Sequence, residues 1–395
     1  MSVFQNIKVV ELGRVFSGPL CSMVLSDIGA EVVKVERPGT GDESRQFGHQ
    51  NKQGQSDYFN SLNRNKKSLS LDLKNSEDQK TLIGLIGDAD VLVHNWLQSS
   101  LDRLGFSYEQ MKKVNPRLIY CSISGYGYNS PFRDQPSQDI IAQAISGFLS
   151  LTGEAGVVPM RTGIPVVDYA TALYAAFAIM AALYEREKTG KGQLVHTSLL
   201  ETSLAMTSFS SAGYLATGEN PERTGNRHPS ICPYNTYQTR DGLVTIAVAN
   251  QGMWERFCDS LQLADLKGHP DYKTNELRLL NQNALEEIIG ARMLENKAEE
   301  IIHILKGAKV SCGRVNNLEE AFSSKEVEAL DMLYPKNPDH DLSADKAKKD
   351  SGTGDMAPVV ASPFHMDCMG QVDRAVAPSL GQHTDEIKRK LHKPI

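Results

Sequence analysis

The regular alternation of short apolar runs with amphipathic stretches between Ile7 and Ser124 constrains this chain more than any other feature. Ile7–Leu12 (IKVVEL), Glu31–Glu36 (EVVKVE), Ser68–Leu73 (SLSLDL), Asp90–Asn95 (DVLVHN) and Leu118–Ser124 (LIYCSIS) have strand length, and most are rich in aliphatic residues. Helical stretches separate them. Ser17–Asp27 reads as a helix closed by Gly29, and Ser76 is placed to cap the helix after the third strand. Strands that alternate with helices predict an α/β fold with a parallel sheet covered on both faces.

Beyond this region the texture changes. Residues 139–217 predict long helices around one strand, Gln193–Thr197, with Gly190 and Gly192 at the turn before it. The run Tyr169–Tyr184 carries no charge, is too short for a bilayer, and reads as a buried core helix. Near residue 225 a Pro- and Gly-rich linker precedes a hairpin, Tyr234–Thr239 and Leu243–Val248 around Asp241-Gly242, followed by helices to about residue 306. The expected organisation is a large domain over 1–222, a small α+β domain over 223–330, and a return to the large domain over 331–395. Within that return, the polar stretch 335–356 reads as a loop.

A chain of 395 residues can bury a full core without metal or disulfide staples. Its net charge of −6 argues against a general nucleic-acid binder. The six cysteines, Cys21, Cys121, Cys232, Cys258, Cys312 and Cys368, show no C-x-x-C spacing, so no zinc site is expected and a reducing, cytoplasmic setting is. The N-terminal residues read as a strand and not as a signal peptide or membrane anchor.

Several chemistries are excluded by missing patterns. Gly39-x-Gly41 and Gly125-x-Gly127 lack the third glycine of the dinucleotide fingerprint, and there is no Walker A loop and no G-x-S-x-G elbow. The ten histidines show no metal-binding spacing. What remains is a set of cations, Arg37, Lys74 and Arg103, at or just past expected strand ends, where open α/β sheets bind ligands. Taken singly, each is a solvated surface residue; their shared placement points to a polyanion site. The other candidate is Asp168, just after Pro165 at the start of an apolar helix. It suits two roles: an N-terminal cap, or a poorly hydrated carboxylate nucleophile.

Several segments together resemble the class III CoA-transferase family (CaiB/BaiF type), which includes formyl-CoA transferase and carnitine CoA-transferase. They are Val9–Gly13 with Ser17-Gly18-Pro19, Gly29–Glu36, Asn65–Ser68 with Leu71–Lys74, Asp168, Lys188–Gln193 and Pro378–Thr384. The resemblance implies a Rossmann-like large domain with a smaller α+β domain, in an interlocked homodimer. It implies that CoA moves from an acyl-CoA donor to a small carboxylic acid, through an anhydride and then a CoA thioester on Asp168. It places CoA contacts at Val15, Phe16, Ser17, Arg37, Leu71, Lys74, Asn95, Trp96, Arg103 and Asp139. CoA is a substrate in this reading, and no tightly bound cofactor, metal, nucleic acid or membrane partner is expected.

Two departures from the family pattern matter. Ala249–Met253 lacks the glycine run of the formyl-CoA transferase, which weighs against oxalate as acceptor. Ser137-Gln138-Asp139 stands where the related α-methylacyl-CoA racemases carry a Gly-His-Asp run, and glutamine cannot exchange a proton near neutral pH, so the racemase is the lesser alternative. A non-catalytic CoA-binding protein would leave Asp168 as a cap. Succinyl-CoA is the expected donor and a small dicarboxylate such as mesaconate, itaconate or citramalate the expected acceptor, with Arg161 or Arg223 as candidates to pair with its second carboxylate.

Overall fold

A computed structural model describes residues 3–51, 54–334, 358–363, 365–367 and 375–391. The expected loop 335–356 and Cys368 lie outside them. The chain divides into two compact units, one of Met1–Leu149, Arg161–Ala216 and Ala329–Ile395, the other of Ser150–Met160 and Thr217–Glu328.

The larger unit is built on six parallel strands: β1 (Lys8–Glu11), β2 (Glu31–Glu36), β3 (Lys66–Ser70), β4 (Val91–His94), β5 (Ile119–Ser124) and β6 (Gln193–Ser198). They lie in the order β3-β2-β1-β4-β5-β6. The helices between them are α1 (Ser17–Asp27), α2 (Asp57–Asn63), α3 (Ser76–Gly87), α4 (Gln98–Leu104), α5 (Tyr108–Val114), α6 (Asp139–Ile145) and α7 (Val166–Thr189); α8 (Leu199–Met206) and α9 (Ser208–Thr217) follow β6. Successive strand residues face opposite sides of the sheet. Val9, Val32, Val91, Val93, Ile119 and Cys121 pack with α1 and α7. Val10, Val33, Val35, Leu92 and Tyr120 pack with α3 and α5 on the other face. A strand buried on both faces must be apolar almost throughout, which is why these runs stand out in the sequence.

Three expectations shift. β3 begins two residues earlier than its apolar signal, because Lys66 and Ser68 turn polar groups into buried partners and are themselves buried. The cap of α3 is Asn75, whose side chain accepts from the Glu77 and Asp78 amides, and Ser76 is the first helical residue. The charge-free run lies in α7, which is 24 residues long and apolar enough by length and composition to cross a membrane. It is a core helix on one side only. Val167, Ala172, Ala175, Ala176 and Ile179 are buried, whereas Tyr169, Leu173, Phe177, Met180 and Tyr184 are 37% to 68% exposed.

The smaller unit holds β7 (Tyr234–Gln238) and β8 (Leu243–Ala247), the expected antiparallel hairpin. Helices α10 (Gln251–Ser260), α11 (Asn275–Leu280), α12 (Gln282–Leu294) and α13 (Ala298–Gly307) follow, then a third strand, β9 (Ser311–Arg314), on β8. Its sequence, SCGR, has no apolar alternation to announce it. Short helices α14 (Leu318–Phe322) and α15 (Lys325–Glu328) complete the unit.

The chain then returns to the larger unit. β10 (Leu333–Tyr334) pairs with β11 (Val359–Val360), and α16 (Thr384–Leu391) packs with the α3 side of the sheet through Ile387. The segment before α16 covers the exposed edge of β3. The Ser68 amide donates to His383 Nδ1 at 3.1 Å, the Ser70 amide to Thr384 Oγ1 at 3.0 Å, and the Gly381 amide to Ser68 Oγ at 2.8 Å. An open strand edge is a template for unwanted pairing, and this segment closes it.

Candidate active site

The strand order reverses between β1 and β4, and open α/β sheets bind ligands in the crevice beyond such a point. The turn from β1 into α1 lies there. It is tight: a Cβ on Gly18 would sit 2.9 Å from the Cα of Gly13. Asn95, just past β4, clamps the turn by accepting from the Arg14 amide and donating to the Arg14 carbonyl, both at 2.8 Å. Val15 sits in the left-handed region at φ 64°. For a β-branched residue that conformation costs about 1–3 kcal/mol and persists only where the surroundings enforce it.

Two cavities open at this point. The larger, about 650 Å³, is lined by Gly13, Arg37, Leu71, Lys74 and Trp96 among others. Arg37 and Lys74 are exposed and have no ion-pair partner among the described residues, so their charge is available to an anion. The smaller, about 350 Å³, is lined by Val15, Phe16, Ser17, Asn95, Trp96, Gln138 and Asp168. Arg14, Glu43 and Trp96 line both.

Asp168 is in the first turn of α7, yet the helix is capped by another residue. Asp139 Oδ2, from α6, accepts from the Val167 amide at 2.8 Å and the Asp168 amide at 3.1 Å, and Gln143 donates to the other Asp139 oxygen. The capping role open to Asp168 in the sequence is therefore taken, and its carboxylate faces the smaller cavity. Burial, with the Asp139 charge adding to it, pushes the Asp168 carboxyl up to about 7, and a hydrogen bond from the Ser17 hydroxyl opposes that rise. Tyr58 stands near by. Its ring meets Phe16 edge-on at 6.1 Å, and burial together with the Asp168 charge raises its hydroxyl to about 12, so it remains a protonated donor.

Of the expected site residues, Val15, Phe16, Ser17, Arg37, Leu71, Lys74, Asn95, Trp96 and Asp168 are brought together along these two cavities. Two are not. Asp139 lines neither cavity and instead lies buried beneath Asp168 as the α7 cap. Arg103 is exposed on α4 and bonds its own helix at Ser99 and Ser100, while its neighbour Leu104 lines the larger cavity. The candidates for a second carboxylate both bond main-chain carbonyls near them. Arg223 donates to the carbonyls of Ser150, Glu154 and Val157, and Arg161 donates to the Thr162 carbonyl. Ala249–Met253 forms the cap and first turn of α10, with Asn250 accepting from the Met253 amide.

Arg14 is the cation that the sequence reading passes over, although it follows the first strand as Arg37 follows the second. It pairs with Glu43 at 2.7 Å with both side chains about half exposed, a contact worth under about 1 kcal/mol, so it is free to exchange Glu43 for a ligand carboxylate. Among the described residues no histidine lines either cavity, and none of the clusters fits a metal ion.

A cationic crevice at the switch point of a parallel sheet, beside a carboxylate freed from capping, suits an enzyme that works on an anionic substrate. Residues 4–384 match the model of CoA-transferase family III, and the chain belongs to that family of enzymes. It is 37% identical over 323 residues to the succinyl-CoA:glutarate CoA-transferase of Homo sapiens, covering 82% of this chain and 74% of that one. It is 33% identical over 392 residues to the succinate–glutarate CoA-transferase of Agrobacterium fabrum, covering 98% and 95%. Among solved structures it is similar to a CAIB/BAIF family protein from Brucella suis, with a TM-score of 0.85, 30% identity, and 99% of each chain covered.

Proposed function

We propose that this enzyme moves CoA from succinyl-CoA to a small dicarboxylic acid, with glutarate the first acceptor to test, and that Asp168 is its nucleophile. One observation carries the reading: the Asp168 carboxylate is released from helix capping by Asp139 and faces a cavity that adjoins the cationic one. The relatives named for succinyl-CoA and glutarate support the choice of donor and acceptor. The larger cavity, with Arg37 and Lys74, takes the phosphate-bearing part of CoA, and Val15, Phe16, Ser17, Asn95 and Trp96 lead its thiol end toward Asp168. Arg103 and Asp139 are not needed as direct contacts.

The reaction then runs through four displacements at three carbonyl centres, those of the donor acyl group, Asp168 and the acceptor. An Asp168 carboxylate oxygen attacks the thioester carbon and CoA thiolate leaves, giving a mixed anhydride. The thiolate attacks the Asp168 carboxyl carbon, which expels succinate and leaves an aspartyl-CoA thioester. The acceptor carboxylate attacks that same carbon and CoA thiolate leaves again, giving a second anhydride. The thiolate attacks the acceptor's acyl carbon and regenerates the Asp168 carboxylate. No net proton, electron or water is consumed. Splitting one acyl exchange into these steps is nucleophilic catalysis.

We further propose that the sheet is Rossmann-like, that two chains interlock as a homodimer, and that the enzyme is cytoplasmic. The apolar stripe on α7 supports the dimer, since exposed apolar area of this extent marks an interaction surface. The free thiols of Cys21, Cys121, Cys232, Cys258 and Cys312 support a reducing compartment. Incubation with succinyl-CoA and a pool of small carboxylic acids, read by mass spectrometry beside Asp168→Asn, tests the central claim. Glutaryl-CoA formed by the wild type and absent with the variant is the expected result. Equal product from both overturns Asp168 as the nucleophile.

A further inference from the structure

Beneath the active-site turn lies a cluster of four buried charges that the transfer steps do not use. Glu11, at the end of β1, holds Lys34 Nζ at 2.7 Å and Lys66 Nζ at 2.8 Å, and Lys34 Nζ reaches on to Asp42 at 2.8 Å. None of the four side chains is more than 1% exposed. Two cations and two anions balance. Such a cluster is expensive to bury, and apolar residues of similar volume often stabilise a fold at least as well. Its placement therefore calls for a reason beyond stability.

The bonds leading out of the cluster show where it acts. Lys34 Nζ donates to the Gly13 carbonyl at 2.8 Å, and Lys66 Nζ donates to the Pro19 carbonyl at 2.8 Å. Asp42 accepts from the Val15 amide with both oxygens, at 3.1 Å and 3.2 Å. All three land on the main chain of one seven-residue turn, Gly13–Pro19. That turn carries the left-handed Val15 and, two residues on, Ser17, which lines the smaller cavity with Asp168. Asn95 grips the same turn at Arg14.

We propose that Lys34, Lys66 and Asp42 are positioning residues that hold the Gly13–Pro19 turn in its strained form, so that Ser17 meets Asp168 and the thioester is seated against the nucleophile. The inference rests on Asp168 as the nucleophile. Besides Ser17, the groups facing Asp168 are Asp139 from α6 and Tyr58 from α2.

The test uses the full chain, with Asp42→Asn and Asp42→Ala beside wild type. Hydrogen exchange of the peptide spanning Val15–Ser17 is read by mass spectrometry, together with the kcat and KM of CoA transfer and the pH profile of kcat. Both variants are expected to exchange this peptide about 10-fold faster or more. They are expected to lose about 100-fold in kcat with a smaller change in the KM for acyl-CoA, since a misplacement of about 1 Å costs that much. The acid limb of kcat should move to higher pH as the Ser17 hydrogen bond is lost. Should Asp42→Ala fail to fold, Asp42→Asn, which keeps the shape and one acceptor oxygen, carries the test. Unchanged exchange in a folded variant overturns the proposal, and so does faster exchange with wild-type kcat and pH profile. If Asp168→Asn retains transfer, the nucleophile reading fails by itself, and the exchange result still decides whether the cluster holds the turn.

Discussion

Asp168 and Asp42 are both withdrawn from water in the larger unit, and their environments drive them in opposite directions. Burial and the neighbouring Asp139 raise the Asp168 carboxyl to about 7. Burial also opposes ionisation of Asp42, but Lys34 at 2.8 Å and the Ser44 amide and hydroxyl outweigh it and hold the carboxyl down to about 2. The difference teaches that burial raises a carboxyl unless a cation in contact overrides it: Lys34 does so at Asp42, whereas at Asp168 burial prevails and a nearby anion adds to it. Asp42, matched to a cation, is inert and holds the main chain. Asp168, buried beside an anion, gains basicity.

The comparison can be tested hardest at Asp168. Asp168→Asn should lower transfer at least about 1000-fold, as loss of a covalent nucleophile does, measured as acyl-CoA formed per site. Next, Glu11→Ala leaves the buried Lys66 without a carboxylate and Lys34 with Asp42 alone. It should cost about 3–5 kcal/mol in urea unfolding, the range for breaking a buried pair by removing one partner. A loss under about 1 kcal/mol would mean the cluster is not held by its charges.

Smaller effects sharpen the contrast. Arg37→Ala and Lys74→Ala should each raise the KM for acyl-CoA about 10-fold, more at low salt than at high, with kcat nearly unchanged. Asp139→Asn removes the like charge beside Asp168. A nucleophilic Asp168, as proposed, must be ionised, so wild-type activity should fall as pH drops through about 7, and the variant's acid limb should move to lower pH. Melting should separate the two aspartates by sign. Asp168 has a raised folded pKa, so the folded state binds its proton more tightly than the unfolded chain does. This lowers stability as pH rises from about 4 to about 7. Asp42 has a lowered one, so its contribution is complete above about pH 4 and is lost as pH falls toward about 2. Asp168→Asn should therefore melt above wild type at pH 8, with the gain shrinking toward pH 4, whereas Asp42→Asn should melt below it at pH 8.

Much of this was legible in the sequence, for physical reasons. Strands buried on both faces are written as unbroken apolar runs, so β1, β2, β4 and β5 could be read directly, and the cations past their ends pointed to the crevice. β3 was displaced in the reading because its buried start is spelled with Lys66 and Ser68. The exposed side of α7 could not be seen, because a helix apolar all round looks the same whether water or protein covers its second face. The choice between cap and nucleophile at Asp168 was undecidable from local sequence, since the competing cap, Asp139, lies 29 residues away from the amide it serves. Likewise Glu11 and Lys34 each read as an isolated charge in an apolar strand. Only the parallel register, which sets Glu11 beside Lys34, shows them as a pair.

The bonds from the Pro378–Thr384 segment to β3 also bear on how the molecule is made. The Ser68 amide waits for a partner 315 positions later in the chain. While a ribosome has yet to reach Pro378, the growing chain can assemble β1 to β6 but must leave one border of that sheet unzipped. During this interval that border is open to pairing with other strands, and synthesis of the Pro378–Thr384 segment supplies the clasp.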